Sequence, residues 1–145
     1  MVMFMEIPSR VQEVIEEANL AWVGTCLDDV PNVNIVGFFK VISDNEMLLA
    51  DNYFYKTRKN LMKNPKIALT VKKSDSLTSY QLKGDVEIIE EGELYEEMKE
   101  WVSAEKVSNR ELPKKAAVKI NVKQIYNTTP GDKAGKKIRT RKKDN

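Results

Sequence analysis

The sequence predicts a mainly β fold of the α+β class, an antiparallel barrel built from six strands and about three helices. Two observations carry that reading. Six runs rich in Val, Ile, Leu, Phe and Tyr are bounded by Asp, Asn, Gly and Pro, the residues that punctuate strands. Most of these runs follow one another directly instead of alternating with helices, so they pair as neighbours rather than crossing over a doubly wound parallel sheet. Closure into a barrel also removes the exposed edges that such strands would present.

The first helix opens at Pro8-Ser9. Ser9 is the expected cap, with Gln12 three residues on as in a capping box, and Val11, Val14, Ile15 and Ala18 form one apolar stripe. "LAWVGTC" (20–26) reads as a buried strand with Trp22 in the core. "LDDVPN" is the expected turn, and "VNIVGFFKVI" (33–42) a second, longer strand. "SDNE" turns into "EMLLA" (46–50). A short helix follows within "ADNYFYKTRKNLMKNP" (50–65), stopped at Asn64-Pro65 because a residue before proline is pushed out of the helical region. "KIALTV" (66–71) and "SYQLKGDVEII" (79–89) are strands, the second with Gly84 at an expected bulge. "EEGELYEEMKEWVSAEK" (90–106) is helical, with Leu94, Met98, Trp101 and Val102 on its inner face. "AAVKINVKQIY" (116–126) is the last strand, and Pro130, Gly131 and Gly135 then end regular structure.

A chain of 145 residues suits one domain with a substantial core. No apolar run is long enough to span a bilayer and the N-terminus lacks a charged-then-apolar leader pattern, so a cytoplasmic location is the expectation. The sequence contains no histidine, which removes His-based acid–base chemistry, Ser–His and Cys–His nucleophiles and His-ligated metal. The single cysteine, Cys26, excludes an internal disulfide and reads as a small buried hydrophobe. The net charge of +2 hides an asymmetry. The last ten residues carry six Lys/Arg and one acid, and removing these from the totals of 24 and 22 leaves 18 basic against 21 acidic groups. Such a tail suits either an anionic surface or a solubilising, disordered end.

The helix at 50–65 raises a chemical question, because Lys56, Thr57, Arg58 and Lys59 cluster at its start. Basic residues suit the other end, where the dipole is negative. First-turn amides lack intrahelical partners and form an anion site; a lysine adds charge and a threonine a hydroxyl donor. Lys56-Thr57 therefore reads either as a phosphate clamp or as part of a solvated basic face, with Arg58 and Lys59 directed to water.

"VNIVGFFKVISDNEMLLADNYFYKTRKNLMKNPKIALTV", followed by "YQLKGDVEII" and "IYNTTPGDKAGKK", resembles the FMN-binding split barrels, the superfamily that includes pyridoxamine 5′-phosphate oxidase. The likeness is closer to its small FMN-binding proteins and covers about residues 10–138. It implies a six-stranded split β-barrel domain over residues 1–135 and a disordered basic tail over 136–145. In that family the strand at Asn34, Ile35 and Val36 runs along the flavin ring through backbone groups. Ala50, Asp51 and Asn52 would lie beside the ring or ribityl chain. Lys56 and Thr57 match the pair that holds the phosphate, with Asn60 assisting. Ser79 or Gln81 would face the same site from the next long strand.

The resemblance also implies FMN as cofactor and a homodimer with flavin at the interface, where Trp101 or Tyr126 would cover the ring. Helix core is the alternative for Trp101. The chain departs from the vitamin B6 oxidases: they place an arginine near the position of Ile35 and an Arg-Lys pair where Lys56-Thr57 stands. Their C-terminal substrate-binding motif has no counterpart in "NTTPGDKAGKKIRTRKKDN", so vitamin B6 oxidation is not expected. Three readings remain. The first is an FMN-dependent oxidoreductase or electron carrier served by a nicotinamide or a redox protein. The second is a deazaflavin-binding reductase, and the third a non-enzymatic dimeric module whose tail contacts nucleic acid. No catalytic residue and no metal ligand is assigned, and neither a membrane nor nucleic acid is the expected partner.

Overall fold

Strand β1 (Ala21–Leu27) and strand β2 (Val30–Val36) form a hairpin in which Leu27 pairs with Val30. Only Asp28 and Asp29 lie between them, with φ of +50° and +63°, the double left-handed geometry of the tightest hairpin turns. The expected turn "LDDVPN" is therefore shorter, and Pro31 and Asn32 belong to β2. Proline is tolerated there because β2 is an edge strand and one face of its backbone needs no partner. The computed structural model describes residues 5–105 and 112–139.

The remaining elements are helix α1 (Ser9–Glu17), strands β3 (Phe39–Val41) and β4 (Glu46–Asp51), helix α2 (Lys56–Lys63), strands β5 (Lys66–Lys72) and β6 (Ser79–Ile89), helix α3 (Glu93–Ala104), and strands β7 (Ala116–Asn127) and β8 (Lys137–Ile138). All strand pairs are antiparallel in one curled sheet ordered β2-β1-β5-β6-β7-β4-β3, with β8 added to β7. Among the described residues, eight strands replace the expected six. The long run at 33–42 is split at Gly37-Phe38, where the Phe38 carbonyl accepts from Ala50 N–H (3.1 Å). β8 also draws Lys137-Ile138 of the expected tail into the sheet, past the boundary at 135, while residues 140–145 lie outside the described ones.

One face of the sheet wraps the main core, which α1 enters through Val11, Val14 and Ile15 and α2 through Leu61. The α1 stripe was legible, but its start differs. Pro8 is the cap, no side chain caps the helix, and Gln12 Nε2 donates to the Ile7 carbonyl (2.9 Å). α3 packs on the opposite face of β4 and β7 through Met98 and Val102, against Phe38, Leu48, Ala50 and Ala117. β4 is thus buried on both sides, which is why "EMLLAD" lacks alternation.

Trp22 is not in the core. Strand alternation turns Ala21 and Val23 inward and leaves Trp22 on the outer face at 38% exposure. Cys26 shares that face and is half-buried rather than buried. The bulge in β6 stands where expected: the β6–β7 register shifts between Lys83 and Gly84, and a Cβ on Gly84 would overlap the Asn121 carbonyl oxygen. Among the described residues no helix is long and apolar enough to cross a membrane.

Candidate functional site

Helix α2 begins at a strained point. Tyr55 has φ +42° and ψ −99°, a conformation costly for a bulky residue, and the chain turns there from the end of β4 into the first helical turn. Asp51 makes that turn possible. Its fully buried carboxylate accepts from Phe54 N–H (3.1 Å) and from Arg58 Nη1 (3.3 Å), while Arg58 Nη2 reaches Glu90 (3.0 Å). Arg58 therefore does not simply point to water; it ties the start of α2 to β4 and to the segment after β6.

In the first turn of α2, the amides of Thr57 and Lys59 bond back to the carbonyls of Phe54 and Tyr55 (2.8 and 3.0 Å). The Lys56 and Arg58 amides have no backbone partner among the described residues. No acid occupies this turn, and the Lys56 side chain is exposed. A second cation stands close by: Lys115 Nζ lies 3.8 Å from the centroid of the exposed Tyr55 ring, and Tyr55 in turn sits 6.5 Å from Tyr53. Free amides, a positive helix end and two ammonium groups suit an anion.

The inner side of α2 is polar. Thr57, Asn60 and Asn64 face the β1–β2 hairpin at helical spacing. Asn32 Nδ2 donates to Thr57 Oγ1 (3.0 Å) and to Thr25 Oγ1 (3.3 Å), Asn60 Nδ2 donates to Thr25 Oγ1 (3.1 Å), and Asn64 Nδ2 to the Cys26 carbonyl (2.8 Å). Thr57 is entirely covered and Asn60 nearly so. The helix is thus fixed to the hairpin by a satisfied hydrogen-bond seam rather than by grease alone. Thr25 and Asn32, a cross-strand pair, were missed by sequence reasoning. The signal was available once the turn was assigned to Asp28-Asp29, because that register puts both on the inner side.

The expected cofactor residues divide into three groups. Asn34, Ile35 and Val36 lie at the far end of β2. Val36 is buried, Ile35 is exposed on the outer face, and the Ile35 amide donates to Asn34 Oδ1 (2.9 Å), so it lies on the strand's open edge. Lys56, Thr57 and Asn60 come together in α2, as just described. Ala50 and Asp51 are fully buried, Ala50 against α3, and Asn52 is engaged with the Pro113 carbonyl (2.7 Å). Ser79 and Gln81 are not brought to α2 within one chain: they sit on β6, separated from β2 by β1 and β5. Ser79 Oγ accepts from Thr128 Oγ1 (2.8 Å).

Of the two aromatic candidates, Trp101 packs edge-on against Phe38 (5.4 Å) beneath Lys40 Nζ (4.4 Å), and Tyr126 lies beneath Lys83 Nζ (5.4 Å). A groove of ≈ 570 Å³ runs over the outer face, floored by Gly24, Ala68 and Gly84 and bordered by Thr25, Asn32 and Asn64. It meets the seam without including Lys56. Away from the site, hydrogen bonding to Glu87 raises the pKa of Lys119; partial burial opposes this, and the Glu87 and Glu46 charges reinforce it.

The fold has counterparts among known proteins. Residues 7–129 match the family described as pyridoxamine 5′-phosphate oxidase. The chain is 38% identical over 125 residues to the uncharacterized protein MJ0282 of Methanocaldococcus jannaschii, an alignment covering 84% of this chain and 81% of that protein. HupZ of Group A Streptococcus superposes with a TM-score of 0.75 at 28% identity, over 89% of this chain and 99% of that one. An FMN-binding protein of Syntrophomonas wolfei subsp. wolfei superposes with a TM-score of 0.73, covering 83% and 85% of the two chains, and at 17% identity it shares the fold alone.

Proposed function

Because the chain belongs to the pyridoxamine 5′-phosphate oxidase family, within the FMN-binding split barrels, we propose that it holds FMN and serves as an oxidoreductase or electron carrier. The observation that carries this reading is the first turn of α2, where the amides of Lys56 and Arg58 have no backbone partner among the described residues and Lys56 adds an exposed side chain. Those groups fit a phosphate monoester. Lys56 supplies charge, and the amides of Lys56 and Arg58 supply directed donors. Thr57 acts from beneath, holding the turn against the hairpin through Asn32 so that the amides are already aligned.

The open edge of β2 supports the rest of the cofactor. The Ile35 amide is occupied by the adjacent Asn34 side chain, a local bond that a ring carbonyl or nitrogen can replace when Asn34 rotates. When bound, the isoalloxazine supplies the hydride and electron chemistry, and the protein tunes it through such donors. With no histidine in the chain, protons at the ring would be exchanged with water or with tyrosines such as the exposed Tyr53 and Tyr55.

The working form is a homodimer. Trp22, Val30, Val33 and Ile35 are exposed on or beside β1–β2, a larger apolar display than a soluble monomer needs. Ser79 and Gln81 reach a flavin only across such an interface, from the subunit that does not supply Lys56. The electron donor in this reading is a nicotinamide or another redox protein.

The decisive experiment is an absorption spectrum of the purified protein with mass analysis of what heat releases. Twin flavin bands and an FMN mass are expected. A colourless protein that also fails to take up added FMN overturns the proposal, and a deazaflavin mass replaces the cofactor while keeping the phosphate site.

A further inference from the structure

At the end of the sheet formed by β6 and β7, the structure holds a second concentration of positive charge. A cavity of ≈ 530 Å³ is lined by Arg10, Lys133, Lys136, Lys137 and Arg139, with Tyr80 and Ile138 at its apolar side. The five cations come from two separate regions, the first turn of α1 and the segment from 133 to 139 that carries β8. All five are exposed, none pairs with a carboxylate among the described residues, and no acid lines the cavity. The first turn of α1 also lacks an acid. Five like charges brought to one concave surface repel one another, so a fold that holds them there is poised for an opposite charge.

The backbone beneath them is fixed. Asn127 N–H donates to the Lys136 carbonyl (2.8 Å), Gly135 N–H to the Asn127 carbonyl (2.7 Å), and Asn127 Nδ2 to the Lys133 carbonyl (3.0 Å). Gly135 takes the left-handed φ of +81° that this compact turn requires. Asn127 thus spends its backbone N–H, its carbonyl and its Nδ2 on the backbone of the lysine segment, while the lysine side chains stay exposed.

We propose that this cavity is a binding site for a small ligand carrying two or more phosphate groups, separate from the α2 site. Arg10 and Arg139 are suited to bidentate contact with phosphate oxygens, and the three lysines to the remaining charge. A concave site of this size fits a nucleoside polyphosphate or a free oligophosphate better than a nucleic-acid backbone, which is tracked by an extended stripe.

The test is calorimetric titration of the full chain, in excess FMN, with inorganic tripolyphosphate, at about 0.15 M salt, where exposed charges are screened beyond roughly 8 Å. One saturable site is expected. Lys133→Gln with Lys136→Gln should weaken it by about tenfold or more, whereas the charge-matched pair Lys63→Gln and Lys99→Gln should change it by less than about twofold. Arg10→Gln, on a different element, should weaken it in the same direction and keeps the proposal testable if the lysine pair perturbs its turn. Tighter binding of ATP than of tripolyphosphate would assign the ligand to nucleotides, and equal binding to the phosphates alone; either supports the site. Equal losses in both lysine pairs, loss of binding on Lys56→Ala, or tighter binding of a short oligothymidylate than of tripolyphosphate would each overturn it.

Discussion

Nδ2 of Asn32 lies 3.0 Å from Oγ1 of Thr57, and this bond joins an edge strand to the first turn of the helix that follows two strands later. The same Asn32 amide also reaches Thr25, so one side chain aligns hairpin and helix together. Asn32→Ala should therefore act on two properties at once. Loss of hydrogen bonds around Thr57 and Thr25 should cost about 1–3 kcal/mol in urea unfolding. FMN should also dissociate faster, although Asn32 need not touch it. Unchanged stability with unchanged flavin retention would show that the seam does not set the turn.

Lys56 and Thr57 are expected to contribute differently. Lys56→Ala removes the exposed charge and should raise the Kd for FMN by about tenfold, close to 1.4 kcal/mol, without moving the melting temperature. Thr57→Val keeps the shape but discards the buried hydroxyl, so it should lower stability as well as affinity. The double alanine variant should purify without flavin. Stoichiometric flavin in that variant would remove the phosphate from α2.

Arg58 connects Asp51, which is fully buried, to Glu90. Arg58→Met leaves the Asp51 carboxylate covered and without its cation, while the bond from Phe54 N–H remains. The expected loss is about 3 kcal/mol near neutral pH, read from thermal or urea denaturation. Asp51→Asn with Arg58→Met should recover part of it, because the buried charge is gone. A single Arg58 variant as stable as the parent would mean that the Asp51 site is already well compensated by backbone donors.

Gly84 tests the sheet itself. A Cβ there would overlap the Asn121 carbonyl, a backbone atom that cannot step aside without breaking the β6–β7 ladder. Gly84→Ala should destabilise by several kcal/mol, on the order of 3, while Gly37→Ala, with open space around its Cβ position, should be nearly neutral. Comparable melting temperatures for the two would place the bulge elsewhere.

Local signals were legible where they are local in origin. The α1 stripe, the stop at Asn64-Pro65 and the bulge glycine were all read correctly, because spacing, proline sterics and the lack of a Cβ act within a few residues. The start of a helix at Lys56-Thr57 was legible for the same reason. What the sequence concealed depends on partners distant in the chain. Trp22 was misplaced because a strand's apolar run does not reveal which alternate residues face the core, and its neighbours Ala21 and Val23 took that side. Pro31 masked the extent of β2 until the sheet showed that strand at an edge. Arg58 resembled a solvated charge because Asp51 and Glu90 approach it only after β4 and β6 are assembled. The basic cavity requires α1 and β8 to meet from opposite ends of the chain.

An edge strand that can welcome a small molecule can equally well welcome another polypeptide. β2 has two safeguards along that edge: Pro31 has no amide to offer, and the next outward amide but one, that of Ile35, is already answered by the side chain of Asn34. Both features blunt this edge against pairing with a strand from another chain. The Asn34 carboxamide acts as a stopper supplied by the strand itself, occupying a donor that an incoming strand would need for its ladder.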